Sequence, residues 1–262
     1  MPEGDTIWRT ARSLDRWIGG RTVTATSSRD CRLRLTVLEG DCIARARSVG
    51  KHLLVHMRSG RVLHSHMMMS GSWHCYAAGA PWRRPPSAAV AVIETGERLA
   101  VCYDAPVVEL LSAEGAAAHP VLSALGSDIL DVPFDEHAVR SQITVAGDHR
   151  SVGDLLLDQK IVAGIGNIYR CEALFLVGLH PAARLAVAGV PSIERAILAA
   201  RELMMGNLSP STGFDRDFGT GRGQAWVYRR AGRPCRRCGT PVASAQMGQW
   251  LRRAYWCPLC QR

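Results

Sequence analysis

Four cysteines near the end of the chain, Cys235-x2-Cys238-x18-Cys257-x2-Cys260, have the spacing of a structural metal site. Each CxxC knuckle turns two thiolates toward one ion. Four thiolates close a tetrahedron around Zn2+ and leave no position for water. The stretch between the knuckles, Gly239 to Trp256, is long enough for a β-hairpin. From Phe218 to Arg262 there are nine arginines and no Asp or Glu, so this tail's charge of +9 equals the formal net charge of the 262-residue chain. A metal-stiffened cationic hairpin is suited to a polyanion such as nucleic acid; a bare stability clip with incidental arginines would have the same spacing. Arg252 and Arg253 lie just ahead of Tyr255-Trp256-Cys257, so the metal would fix their direction.

A second kind of chemistry sits at the start. Removal of Met1 leaves Pro2 as a terminal secondary amine, which can condense with an aldehyde-like carbon to a cationic iminium. An α-amino group titrates near 8 and a lysine near 10.4, so at neutral pH the terminal amine is the more often unprotonated nucleophile. A helix beginning at residues 3–5 would lower its pKa further through the positive end of the dipole. Glu3 can serve as general acid or base, and is equally a good first-turn helix residue. Only two lysines, Lys51 and Lys160, stand among 32 basic residues, and Lys51 precedes the apolar run Leu53-Leu54-Val55. The three consecutive methionines Met67-Met68-Met69 cannot all face a core from one strand. A displayed thioether is a wedge for a base stack; local core filling is the alternative. In Gly164-Ile165-Gly166-Asn167 two glycines permit a sharp turn with exposed N–H groups. Such a turn can grip a phosphate, or Asn167 can simply cap the following helix.

These residues need elements to carry them. Ile7, Ala11, Leu14 and Ile18 form a helical stripe over residues 5–18, closed by Gly19-Gly20. From there to about residue 104 the period moves toward two: Leu33, Leu35 and Val37 alternate with polar residues, and short apolar runs follow at 53–57, 61–64, 88–93 and 99–103. Strands of this length with turn signals such as Glu94-Thr95-Gly96-Glu97 predict a sandwich or flattened barrel. After about Pro133 the spacing becomes helical, at 135–146, 152–163, 168–177 and 192–205, and residues 206–225 read as a flexible loop. The expected organisation is α+β in three parts: a helix and β-sandwich at 1–130, a helical domain at 131–225 and a four-cysteine hairpin at 226–262. A mean hydropathy of −0.02 and no run near the roughly 20 apolar residues of a membrane span argue against a membrane protein. An acidic start without an apolar segment excludes a signal peptide, and nine cysteines, an odd number, suit a reducing cytoplasm.

Taken in order, these residues resemble the formamidopyrimidine-DNA glycosylase/endonuclease VIII family of DNA repair enzymes. The resemblance spans the chain: Pro2-Glu3-Gly4, Gly50-Lys51, Ser65-His66 with Met69-Ser70-Gly71, Asp158-Gln159 through Gly164-Ile165-Gly166-Asn167, and the cysteine knuckles with Arg252 and Tyr255-Trp256. It implies an N-terminal helix on a β-sandwich, a helix–two-turn–helix domain and a zinc-finger hairpin holding one structural Zn2+ through Cys235, Cys238, Cys257 and Cys260. It implies extrusion of a damaged nucleoside, attack of the Pro2 nitrogen on C1′, proton donation by Glu3, and strand cleavage by β,δ-elimination with acid roles for Lys51 and Arg252. Asn167, Lys51 and Arg252 would hold phosphates, and Met69 would enter the base stack. The implied partner is damaged DNA, double- or single-stranded, bound by a cytoplasmic, nucleoid-acting monomer. Pro2-Glu3-Gly4 is similar to the endonuclease VIII branch, which favours oxidised pyrimidines. Met69-Ser70-Gly71 resembles the 8-oxoguanine branch, whose Pro-Arg-Arg-Phe-Gly loop is replaced here by Tyr103-Asp104-Ala105-Pro106-Val107-Val108, and Gly153 stands where that branch carries a lysine. A non-catalytic zinc-ribbon protein that only recognises damage would share the hairpin but has no need of a free terminal amine.

Overall fold

The computed structural model describes residues 2–209 and 215–262, which divide into two compact units with the boundary between Ala124 and Leu125. The first unit opens with α1 (Gly4–Ile18), whose stripe Ile7, Ala11, Leu14 and Ile18 is fully buried. Asp5 lies in its first turn and Arg16 in its last, each favourable to the helix dipole. Eight strands follow: β1 (Ala25–Ser28), β2 (Ile43–Val49), β3 (His52–Met57), β4 (Val62–His66), β5 (Ser72–Ala77), β6 (Ala89–Glu94), β7 (Arg98–Tyr103) and β8 (Val107–Leu111). They form two antiparallel four-stranded sheets, ordered β1-β6-β7-β5 and β2-β3-β4-β8. One core joins them. Leu53, Val55 and Leu63 from one sheet, Trp73, Ile93, Ala100 and Cys102 from the other, and the α1 stripe belong to a single buried cluster. A short helix, α2 (Ala113–Ala117), starts on a Ser112 cap.

The alternation at residues 33–37 does not make a strand. Leu35–Leu38 is a turn of 3-10 helix that buries Leu35 and Leu38 and leaves Val37 exposed. Apolar residues three apart can be buried together in that geometry, which a period-two pattern does not anticipate.

The second unit contains β9 (Ser127–Asp128), α3 (Glu136–Val145), α4 (Val152–Leu157), β10 (Val162–Ala163), α5 (Asn167–Leu176), α6 (Leu185–Ala188), α7 (Val190–Gly206), β11 (Ala243–Met247) and β12 (Arg252–Trp256). The helix expected at 152–163 stops at Leu157. The Asp158 carboxylate there accepts the Lys160 N–H, and β10 pairs in parallel with β9. The Gln159 side chain ties the turn together, donating to the carbonyls of Leu157 and Ile165 and accepting from the Gly164 N–H. Of the loop expected at 206–225, residues 210–214 lie outside the described residues. The part after them is tied down: buried Asn207 donates to the carbonyls of Leu203 and Asp217 and accepts the Asp217 N–H. The β11–β12 hairpin packs on α5. Among the described residues no helix is long and apolar enough to cross a membrane.

Candidate active site and metal centre

Pro2 is half-buried, and Glu3 after it is fully buried at the N-cap of α1, where its carbonyl accepts the N–H groups of Thr6 and Ile7. The helix packs on β2 and β3. Lys51 lies in the connection of those strands, directly ahead of β3. Val49 pairs with His52, so Gly50-Lys51 is a two-residue turn. Gly50 has φ +55, the conformation such a turn needs at its first position and one that glycine adopts without cost.

The same sheet carries an unforeseen polar ladder beside Lys51. His52, His64, His66 and Glu109 share one face by register, opposite the core-facing Leu53, Val55 and Leu63. His52 Nδ1 lies 2.9 Å from His64 Nε2, His64 Nδ1 2.8 Å from Glu109 Oε2, and His119 Nε2 3.1 Å from the same oxygen. Burial, then the neighbouring imidazoles and Lys51, pulls His52 down to about 3. Burial and the Lys51 charge pull His66 down to about 4. The sequence signal for this row is His64-Ser65-His66 at strand period, next to His52. Beyond β4 the chain turns on itself: the Gly71 N–H donates to the Met67 carbonyl at 2.8 Å. A Cβ on Gly71 would meet the backbone of Met67 and Ala105 at 2.8–2.9 Å. This tight loop buries Met67 and displays Met68 and Met69, which are 51% and 64% exposed.

In the second unit Gly166, not Asn167, occupies the N-cap of α5, so helix capping by the Asn167 side chain is excluded. The Asn167 amide reaches the hairpin instead. Its Nδ2 donates to the Arg253 carbonyl at 2.9 Å, and its Oδ1 accepts from Arg170 at 2.5 Å. Arg252 is exposed at the start of β12, opposite Met247. Glu172 is a structural post that no local sequence pattern marks. It is fully buried, and its carboxylate accepts the N–H groups of Trp226, Val227 and Tyr228 at 2.7, 3.1 and 2.8 Å, fixing the chain that leads into the first knuckle.

The four cysteines come together with their sulfurs within 4.8 Å of one another. Cys235 Sγ and Cys260 Sγ are 4.0 Å apart, and Cys238 Sγ and Cys257 Sγ 3.4 Å apart. Zn–S bonds of about 2.3 Å in a tetrahedron put sulfurs about 3.8 Å apart, so the set fits one zinc. Burial, with the other three sulfurs adding, pushes the Cys260 thiol up to about 12. A cation among the sulfurs would offset that crowding and let Cys260 ionise. Phe175 of α5 stacks on Trp226 at 5.2 Å, and Arg237 lies 4.5 Å over the Phe175 ring, which seats the knuckle on the helix.

Residues 1–105 match the formamidopyrimidine-DNA glycosylase N-terminal domain and residues 125–210 the formamidopyrimidine-DNA glycosylase H2TH domain. A probable endonuclease 8 2 of Streptomyces coelicolor is 38% identical over 271 residues, covering 100% of this chain and 94% of the relative. The chain belongs to the formamidopyrimidine-DNA glycosylase/endonuclease 8 family. Within the family, a DNA-(apurinic or apyrimidinic site) lyase Nei2 of Mycolicibacterium smegmatis is 35% identical over 266 residues, covering 100% of this chain and 99% of the relative. The fold is that of the family too. A Lactococcus lactis formamidopyrimidine-DNA glycosylase, solved with DNA containing N7-benzyl-Fapy-dG, superposes with a TM-score of 0.83 at 23% identity over the full length of both chains. The helix, sandwich, helix–two-turn–helix and cysteine hairpin expected from the sequence are all present.

Proposed function

We propose that this chain is a bifunctional DNA glycosylase and abasic-site lyase of base excision repair that removes oxidised pyrimidines from DNA. The observation that carries the reading is full-length similarity to endonuclease 8 relatives, joined to a buried carboxyl directly after Pro2. With Met1 removed, the Pro2 nitrogen attacks C1′ of the extruded nucleotide. Glu3 gives a proton to the sugar ring oxygen, the base departs, and the sugar is held as an iminium. Loss of the C2′ proton expels the 3′ phosphate, and loss of the C4′ proton then expels the 5′ phosphate; Lys51 and Arg252 supply the acid roles, Arg252 chiefly in this second cut. Asn167 contributes to phosphate binding through its amide N–H, and Met69 fills the space left in the stack. Cys235, Cys238, Cys257 and Cys260 hold one Zn2+, which stiffens the hairpin and activates no water, because four thiolates leave no open position. The enzyme works as a monomer in the cytoplasm, on duplex or single-stranded DNA.

Borohydride reduction of the iminium during turnover on abasic-site DNA tests the assignment. A covalent complex should form, and mass spectrometry of its peptides should place the link on Pro2. A link on Lys51, or Met1 retained in the active protein, would remove Pro2 as nucleophile. The display of Met69 favours a second reading of lesion choice, toward formamidopyrimidine and 8-oxoguanine. Excision rates across a panel of lesion-bearing oligonucleotides decide between the two.

A further inference from the structure

Arg252 sits one step from the tip of a hairpin whose metal site is at the other end. The β11–β12 register runs from Ala243↔Trp256, beside the knuckles, to Met247↔Arg252, where the loop 248–251 begins. At about 3.4 Å per residue that is roughly 14 Å of strand, so fixing the knuckles leaves the tip free to swing. Two residues of the helical domain hold it. The Gln249 N–H donates to Asp154 Oδ2 at 3.2 Å, and the Asn167 amide donates to the Arg253 carbonyl at 2.9 Å. Arg252 lies between these two anchored positions with its own side chain exposed.

Both anchors are themselves braced. The Asp154 N–H donates to the Ser151 side chain at the α4 cap, and Arg170, itself 1% exposed, holds Asn167 Oδ1. Asp154 is 8% exposed, and its Oδ1 is buried without a hydrogen-bond partner among the described residues. The tip approaches this oxygen so closely that a Cβ on Gly248 would collide with it. A buried carboxylate with one oxygen unpartnered is a poor way to gain stability. It is a good way to hold a backbone loop in one place.

We propose that Asp154 and Asn167 clamp the Arg252 segment from both sides, and that Asp154 is a positioning residue for the second strand cut. This rests on the role given to Arg252 above. The test uses the full-length, zinc-loaded protein on an abasic-site duplex, reading the two cleavage products, borohydride trapping and zinc content. Asp154→Ala should slow the second cut about tenfold while the first cut and trapping stay within about twofold, the pattern of a misplaced acid rather than a lost nucleophile. Asp154→Asn keeps an acceptor for the Gln249 N–H and should restore most of the second cut. Added to Arg252→Ala, Asp154→Ala should cause no further loss. Gly248→Ala, which forces the tip away with Asp154 in place, should reproduce the defect independently if Asp154→Ala does not fold. An unchanged product ratio in folded Asp154→Ala or in Gly248→Ala, or a further loss on top of Arg252→Ala, overturns the clamp. Failure of the enzyme assignment looks different, because the wild-type protein then neither traps nor cuts.

Discussion

Glu3 is a carboxyl with no exposed surface at the N-cap of a helix. Removing its ability to donate a proton should act on one chemical step. Glu3→Gln should reduce excision of a damaged base by about two orders of magnitude or more, the usual weight of a positioned general acid. Cleavage at a pre-formed abasic site, where no base has to leave, should fall far less. Single-turnover rates on the two substrates measure the difference, and equal losses would move Glu3 from proton donor to scaffold. At this scale the sequence was uneven. The cysteine cluster was legible because metal ligation depends on type and local spacing, and the four sulfurs do come together. The contact that Asn167 makes was not: its partner is the carbonyl of Arg253, 86 residues away, and a backbone acceptor leaves no mark in a sequence. Glu172 stayed hidden for the same reason, since it too serves backbone N–H groups.

The β2–β3–β4–β8 sheet turns an apolar face to the core and a histidine face away from it. That second face gives the first unit an acid limit. His52 and His66, surrounded by His64, His119, Glu109 and Lys51, have folded pKa values of about 3 and about 4, below the ordinary imidazole value near 6.5. A depressed histidine contributes stability that is complete above the unfolded pKa and is lost as pH falls through 6.5 toward the folded value. For His52 the slope is about 1.4 kcal/mol per pH unit. Urea midpoints of the first unit should therefore drop steadily from pH 7 to pH 4, and His52→Phe should flatten that decline. An acid-insensitive midpoint would mean the imidazoles stay solvated. Elements were legible where one period dominated, as in the α1 stripe. They were misread where side chains captured the backbone, as Asp158 and Gln159 do when they end α4 early.

Across the whole molecule, charge and topology work together. The nine arginines after Phe218 are the chain's formal net charge gathered in its last 45 residues. If about five phosphates are neutralised, log K should fall with log[salt] at a slope of roughly −4 to −5, read by anisotropy on an uncleavable abasic analogue. A slope near zero would leave the arginines as solubilising surface. The class of fold was visible in the sequence because strand-period and helix-period segments are well separated along the chain. The joining of hairpin to helices was not, because it uses main-chain groups. That joining also orders events in time. The two contacts that hold the Arg252 segment link residues 95 and 86 positions apart, and contacts of such separation form only after the intervening chain has condensed. With Arg252 in the role proposed for it, the chain should mature as a single-cut enzyme first and gain its second cut last. On refolding, single-nick activity should precede two-sided cleavage by a measurable interval, and a partly matured protein would open DNA strands without releasing the sugar between them.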